Sequence, residues 1–275
     1  MDKKYMAVIA VVAIVIIAVA AFMILNNNSN ARDDDPNDPT THITETDMDR
    51  TSLGALVFGN ANGDYVIDDD DLDIIANIID GKSGYTLDKY PLADANANGV
   101  VNNNDYNMVK RMIAKESMIV YIIDDSNNSN GKSNVVPSHY PVTKAFVAGN
   151  VNMRALVAAV DFSDVIVANA TNDTISEPLD SKLIERRATE GFVQVTTGGT
   201  SDDQIKLAAV DFQMAIIENS GMTGYSADAL LDLYEKKDAY LIQFKTDSTD
   251  TYLNTMGTLG VLTSHEASAK KYADL

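Results

Sequence analysis

The chain has 275 residues, no cysteine, no tryptophan and three histidines, and its formal net charge at pH 7 is −19. Such an acidic balance argues against nucleic acid as a partner, because phosphate contact needs clustered lysine and arginine; cations are the expected partners instead. The missing cysteines exclude disulfides, thiolate metal centres, cysteine nucleophiles and a lipid-modified N-terminal cysteine, and His42, His139 and His265 are too few to suggest a zinc or haem centre.

Met6 to Leu25 are twenty consecutive apolar residues without a charge. A hydrocarbon core about 30 Å thick is crossed by about 20 helical residues. Lys3 and Lys4 precede the span and Asn26 to Asn30 follow it, which places the N-terminus inside and everything else outside the cell membrane. Ala18-Val19-Ala20 has the small-x-small form of a signal-peptidase site, but the apolar run continues through Leu25, so a retained anchor (1–25) is expected over a cleaved signal. Residues 26–52 are rich in Asn, Asp, Thr and Pro, with few apolar side chains to offset chain ordering, and read as a flexible acidic linker.

Two segments then repeat, beginning at Asn60 and Asp94, 34 residues apart. Oxygen side chains fall at positions 1, 3, 5, 9 and 12: Asn60, Asn62, Asp64, Asp68 and Asp71 in the first loop, Asp94, Asn96, Asn98, Asn102 and Asp105 in the second. Position 7, Val66 or Val100, would contribute its backbone carbonyl. Calcium takes six to eight oxygen ligands, and alternate residues of a tight loop can turn them towards one centre. Apolar Ile67 and Val101 at position 8 would pack between paired loops. Each loop runs into a helix with an apolar stripe: Leu72, Ile75, Ile78 and Ile79, then Tyr106, Val109, Met112 and Ile113. The same residues would also serve as Asx-rich turns capping those helices. No helix is evident before either loop.

Loop-then-helix, repeated, with Asp at position 12, resembles the dockerin module over residues 53–116. The resemblance implies calcium as the bound ion and raises a cohesin as a partner. Cellulosomal dockerins meet cohesins partly through loop positions 10 and 11, which are Asp69-Asp70 and Asn103-Asn104 here. Few carboxylates imply modest calcium affinity.

From residue 117 strands and helices alternate. Strands are expected over Met118–Ile123, returning at Val135-Val136 as a hairpin, then over Lys144–Ala148, Val165–Ala168, Phe192–Val195, Phe212–Ile217 and Ala239–Phe244. Helices are expected over Asn152–Val160, Ser176–Arg187, a short one capped by Ser201, Ala227–Lys236 and Thr249–Leu259. The fold class is therefore α/β, with a mostly parallel sheet covered by helices.

This order, with Tyr140-Pro141-Val142-Thr143-Lys144-Ala145-Phe146-Val147, Val160-Asp161-Phe162-Ser163-Asp164-Val165-Ile166-Val167, Asp203 to Phe212, and Met256-Gly257-Thr258-Leu259-Gly260-Val261-Leu262 followed by Glu266-Ala267, resembles the first lobe of a cluster-type substrate-binding protein of ABC importers, the class serving siderophore-iron, haem and cobalamin. The resemblance implies a solute-binding role rather than an enzyme, an ABC permease or a separately encoded second lobe as partner, and a single lobe over 117–275. In open α/β sheets ligands lie beyond the carboxyl ends of the strands, which nominates Gly149, Asn150, Asn169, Thr171, Thr197, Gly198, Asn219 and Ser220. The other function expected of this layout is a cell-surface structural or adhesion protein acting through dockerin–cohesin contact. N-x-[ST] sequons at Asn27, Asn127, Asn169 and Asn172 are compatible with an outside location.

Overall fold

Two loop-helix repeats open the part of the chain that the structure, a computed structural model, describes: residues 42–51, 53–124, 132–170, 181–196, 198–218, 225 and 228–275. The apolar span at 6–25 lies outside the described residues, as does most of the linker; among the described residues no helix is long and apolar enough to cross a membrane. Helices α1 (Asp69–Ile79) and α2 (Asn103–Ile113) follow the two loops and pack on each other. Each starts at a capping box. The Asp68 or Asn102 side chain accepts from the start of its helix, and the Asp71 or Asp105 carboxylate accepts from the backbone of the cap. Two orphan N–H groups are thereby satisfied at each helix start. Leu72 and Ile75 of α1 and Val109 and Met112 of α2 are buried, the inner half of each expected stripe. Before the second loop stands only a short 3-10 turn, Pro91–Ala93.

The expected hairpin forms from β2 (Met118–Asp124) and β3 (Ser133–Tyr140), paired antiparallel with Ile122 opposite Val136. A two-residue strand β1 (Glu45–Thr46) adds to the start of β3, and Val57 bridges to Ile122, which ties the repeat segment to this sheet.

The second sheet has five strands, all parallel, in the order β6-β5-β4-β7-β8, where β4 is Ala145–Ala148, β5 Ile166–Ala170, β6 Val193–Val195, β7 Met214–Glu218 and β8 Tyr240–Phe244. Helices α3 (Val151–Val160), α4 (Ser181–Arg187), α5 (Ser201–Ala208) and α6 (Asp228–Lys236) connect them. The central strands Ala-Phe-Val-Ala and Met-Ala-Ile-Ile-Glu are buried along their whole length, as expected of parallel strands covered on both faces. Phe146, Phe212, Tyr225 and Tyr234 form an edge-on and tilted aromatic cluster on one face.

Most expected boundaries shift by one or two residues, and the return strand extends from Val135-Val136 to Ser133–Tyr140; three helix boundaries differ in ways that carry a reason or a limit. The cap of α5 is Thr200, not Ser201: Thr200 and Asp203 form a reciprocal capping box, so the helix starts where two donors can be satisfied at once. The helix expected from Ser176 is described from Ser181, residues 171–180 lying outside the described residues. Helix α7 runs Thr249–Leu262, three residues beyond its expected end, before α8 (Glu266–Ala273).

Residues His42–Leu275 form one compact unit. Helix α7 is buried continuously from Asn254 to Leu262, because it packs on α3 and α8 and also receives the segment leading into the first loop. Leu56 N donates to Thr258 Oγ1 (2.8 Å), and Asn254 Nδ2 donates to Leu53 O (2.5 Å). Tyr140 Oη reaches Met112 O at the end of α2 (2.8 Å), and Lys115 pairs with Glu266. Ala55, Ile75, Val109 and Met112 accordingly share one core with Leu156, Leu259 and Leu262.

Candidate metal loops and the strand-end crevice

The two loops fold with the same internal register. The position 3 side chain accepts from the position 5 amide (Asn62 from Asp64 N, Asn96 from Asn98 N), and position 5 accepts from position 7 (Asp64 from Val66 N, Asn98 from Val100 N). The position 12 carboxylate spans position 3 and position 9: Asp71 accepts from Asn62 N (3.0 Å) and Asp68 N (2.9 Å), Asp105 from Asn96 N (3.2 Å) and Asn102 N (2.8 Å). Position 9 accepts from position 11 in both. The sequence repeat is therefore a structural repeat at positions 3, 5, 9 and 12. Position 4 is left-handed in both loops, with φ +71° at Gly63 and +55° at Ala97; glycine adopts this readily and alanine with strain. Ile67 at position 8 is buried and Val101 partly so.

Position 1 separates them. In the second loop the Asp94 carboxylate accepts from Asn98 N (3.0 Å) and Gly99 N (2.7 Å), so backbone donors compensate its charge. In the first loop Asn60 is fully buried, and its Nδ2 donates to Ala55 O and Asp64 O, both 2.8 Å. That orientation leaves Asn60 Oδ1 buried with no hydrogen-bond partner. A buried oxygen without a donor costs about 1–3 kcal/mol. Asp71 is also fully buried. Burial pushes its carboxyl up to about 7, with the Asp64 and Asp68 charges adding to the rise and the two backbone donors opposing it.

The first loop supplies oxygen donors of the type a hard cation takes: Asn60 Oδ1, which lacks a donor, and the Asp64, Asp68 and Asp71 carboxyl groups. The second loop offers Asp94 and Asp105, which accept from backbone amides as Asp64, Asp68 and Asp71 do in the first. Among the described residues no group of three or more His, Asp or Glu side chains is arranged to hold a metal ion by itself. Any ion here would depend on amide and backbone oxygens as much as on carboxylates.

The strand order places the reversal of winding between β4 and β7, where an open α/β sheet has its crevice. Two nominated residues, Gly149 and Asn150, stand there at the end of β4. Gly149 N donates to Ala170 O, and Asn150 caps α3. The crevice also holds a residue that the sequence reading did not nominate, Glu218 at the end of β7, which is 1% exposed. Its carboxylate accepts from Asn150 N (2.9 Å) and from Thr246 Oγ1 (2.8 Å), just beyond β8. The chain thus sets its own carboxylate at the N-terminus of α3, the position where nucleotide folds receive a phosphate. A Cβ at Gly149 would stand 2.3 Å from Met153 Cβ and 3.0 Å from Glu218 Oε2, so glycine is required for this approach. Asn169 is buried, and its Oδ1 accepts from Arg187 Nε (3.0 Å). A cavity of about 10 Å³, the size of one water, lies between Gly149, Met153, Arg154 and Asn169. Gly198 is exposed on the loop after β6, while Thr171, Thr197, Asn219 and Ser220 lie outside the described residues.

A signal for Glu218 was present as a charged residue ending an otherwise apolar strand; Thr246, 28 residues further on, carried none. His139 Nε2 meets Asp238 O, 99 residues away, and His265 Nδ1 meets Thr263 O nearby in the chain. No family model, curated protein or solved structure matches this chain.

Proposed function

We propose that the chain is a membrane-tethered, extracytoplasmic solute-binding-like protein, in which a calcium-binding repeat pair of dockerin type supports one α/β lobe of the siderophore, haem and cobalamin class. Calcium is assigned first to the loop at Asn60–Asp71. The observation that carries this is Asn60 Oδ1, a buried oxygen without a donor inside an oxygen-rich loop of the right spacing. The five-stranded parallel sheet with its crevice between β4 and β7 supports the lobe reading. The twenty-residue apolar run supports the tether. A single lobe leaves a ligand half in water, and among the described residues Glu218 already occupies the N-terminus of α3, so one lobe holds a metal chelate weakly, poorer than about 10 µM or about −7 kcal/mol.

The test is calorimetry on the His42–Leu275 protein after EDTA treatment. Calcium binding with a dissociation constant of about 0.1–1 mM is expected, as for extracellular modules, weakened by Asp64→Asn. Ferric siderophore, haem and cobalamin should each bind more weakly than about 10 µM. No calcium heat up to about ten times the weaker of those constants, or nanomolar chelate binding by this lobe alone, overturns the proposal.

A further inference from the structure

The first loop and helix α7 lie against the same short segment, Leu53–Val57. From the loop side, Gly54 N donates to Gly63 O and Ala55 N to Asp64 O, both at 2.7 Å. The Asn60 side chain adds a third tie through Nδ2 to Ala55 O. From the helix side, Asn254 Nδ2 donates to Leu53 O, and Thr258 Oγ1 accepts from Leu56 N. Gly257 brings the two backbones into contact: a Cβ there would stand 2.8 Å from both Gly54 C and Ala55 N. The segment has no slack on either face.

We infer that ion binding in the first loop regulates the lobe, because the Leu53–Val57 segment transmits the ordering of Asn60–Asp71 to helix α7. This rests on the calcium reading above and adds to it a stated route. An ion accepting Asn60 Oδ1 as a ligand fixes the side chain whose Nδ2 holds Ala55 O and Asp64 O. Fixing those two carbonyls steadies the paired amides of Gly54 and Ala55, and with them the Leu56 amide bound to α7. The ion acts as a ligand of the folded unit only, and stabilises whatever opens together with its site. Helix α5 (Ser201–Ala208) belongs to the other apolar cluster of the sheet, through Leu207, and lies off this route.

Hydrogen exchange by mass spectrometry on the His42–Leu275 protein, with EDTA and with free calcium at about 100 times its dissociation constant, tests the route. The linkage limit at that concentration is about 100-fold. Exchange should slow by about 10- to 100-fold in peptides spanning 53–58, 60–71 and 254–262, and stay unchanged over 201–208. Thr258→Val should retain the calcium heat and lose the slowing at 254–262. Calcium heat with slowing confined to 60–71 overturns this inference and leaves the calcium reading standing. Equal slowing everywhere also overturns it, since the effect would then be global. Absence of both heat and slowing overturns the calcium reading and this inference together.

Discussion

Gly257→Ala measures how tightly the repeat segment is held against the lobe. Gly257 is in the interior of α7, where alanine is the better helix former by about 1 kcal/mol. Its Cβ would stand 2.8 Å from Ala55 N and from Gly54 C, and 2.9 Å from Gly54 O. All three are backbone atoms; Ala55 N already donates to Asp64 O and the amide of Gly54 to Gly63 O, so relief requires moving the segment together with its loop. Overpacking costs about 1–3 kcal/mol, and the upper part of that range applies when no side chain can swing away. The net expectation is a loss of about 1–2 kcal/mol, or about 3–6 °C in melting midpoint for a unit of this size. Circular-dichroism melts and urea titrations of the His42–Leu275 protein would read it. Gly198→Ala is the matched control: among the described residues its near neighbour is Thr200 Cγ2 at 3.6 Å, so it should stay within about 0.5 kcal/mol of wild type. A Gly257→Ala protein as stable as wild type, or more stable, would mean that α7 and Gly54-Ala55 do not meet in solution, and the contact reasoning would fail.

Tyr140→Phe removes the hydroxyl that reaches Met112 O across the junction of α2 and β3, and should lower stability by about 1 kcal/mol in denaturant titration. Asp203 gives the pH dependence. Burial alone would raise its carboxyl, but donors from the Thr196 and Thr200 side chains and backbones outweigh this and hold it at about 2. A lowered folded-state value contributes stability above the unfolded value near 3.8, here about 2 kcal/mol, which is lost as pH falls from about 4 towards 2. Asp203→Asn should therefore flatten the acid limb of a stability–pH profile while lowering the plateau at neutral pH; an unchanged acid limb refutes the assignment. Asp105→Ala strands the amides of Asn96 and Asn102, and should cost about 2 kcal/mol in EDTA and abolish any calcium heat from the second loop. N-terminal sequencing of the membrane-fraction protein should begin upstream of the apolar span; a start just after Ala20 would show a cleaved signal instead.

The alternation of elements after residue 117 was legible because strand and helix periods are local properties. Whole strands such as Met-Ala-Ile-Ile-Glu were placed within two residues of their positions. The strand order was not, and with it went the crevice. Glu218 meets Asn150 and Thr246 only because β7 lies between β4 and β8, a fact of pairing that no single segment carries. The repeat spacing was likewise plain, whereas the docking of Leu53–Val57 on α7 joins residues about two hundred positions apart. Gly257 and Gly260 stand in the sequence within the Met256–Leu262 stretch that carries the substrate-binding-protein resemblance; in the fold each is small because a neighbour needs the space, Gly54-Ala55 at one and Ala269 at the other.

The two loops also show how one residue pattern serves capping and ion binding with the same atoms. Asp71 and Asp105 were nominated as position 12 ligands, and both close capping boxes. The roles are compatible: a carboxylate oxygen that accepts one N–H still has a lone pair directed elsewhere. What distinguishes the loops is whether that arrangement is already complete. In the second, an aspartate at position 1 folds back onto the amides of Asn98 and Gly99, and the loop compensates its own charge. In the first, an amide at position 1 spends its two N–H donors on carbonyls and leaves its oxygen buried without a donor, in a loop that also holds the buried Asp71 carboxyl. Replacing aspartate by asparagine usually weakens a cation site by removing charge. Here the same replacement supplies the donors that tie the loop to Ala55, and so to helix α7. Asp94, at position 1 of the second loop, accepts from amides within its own loop instead.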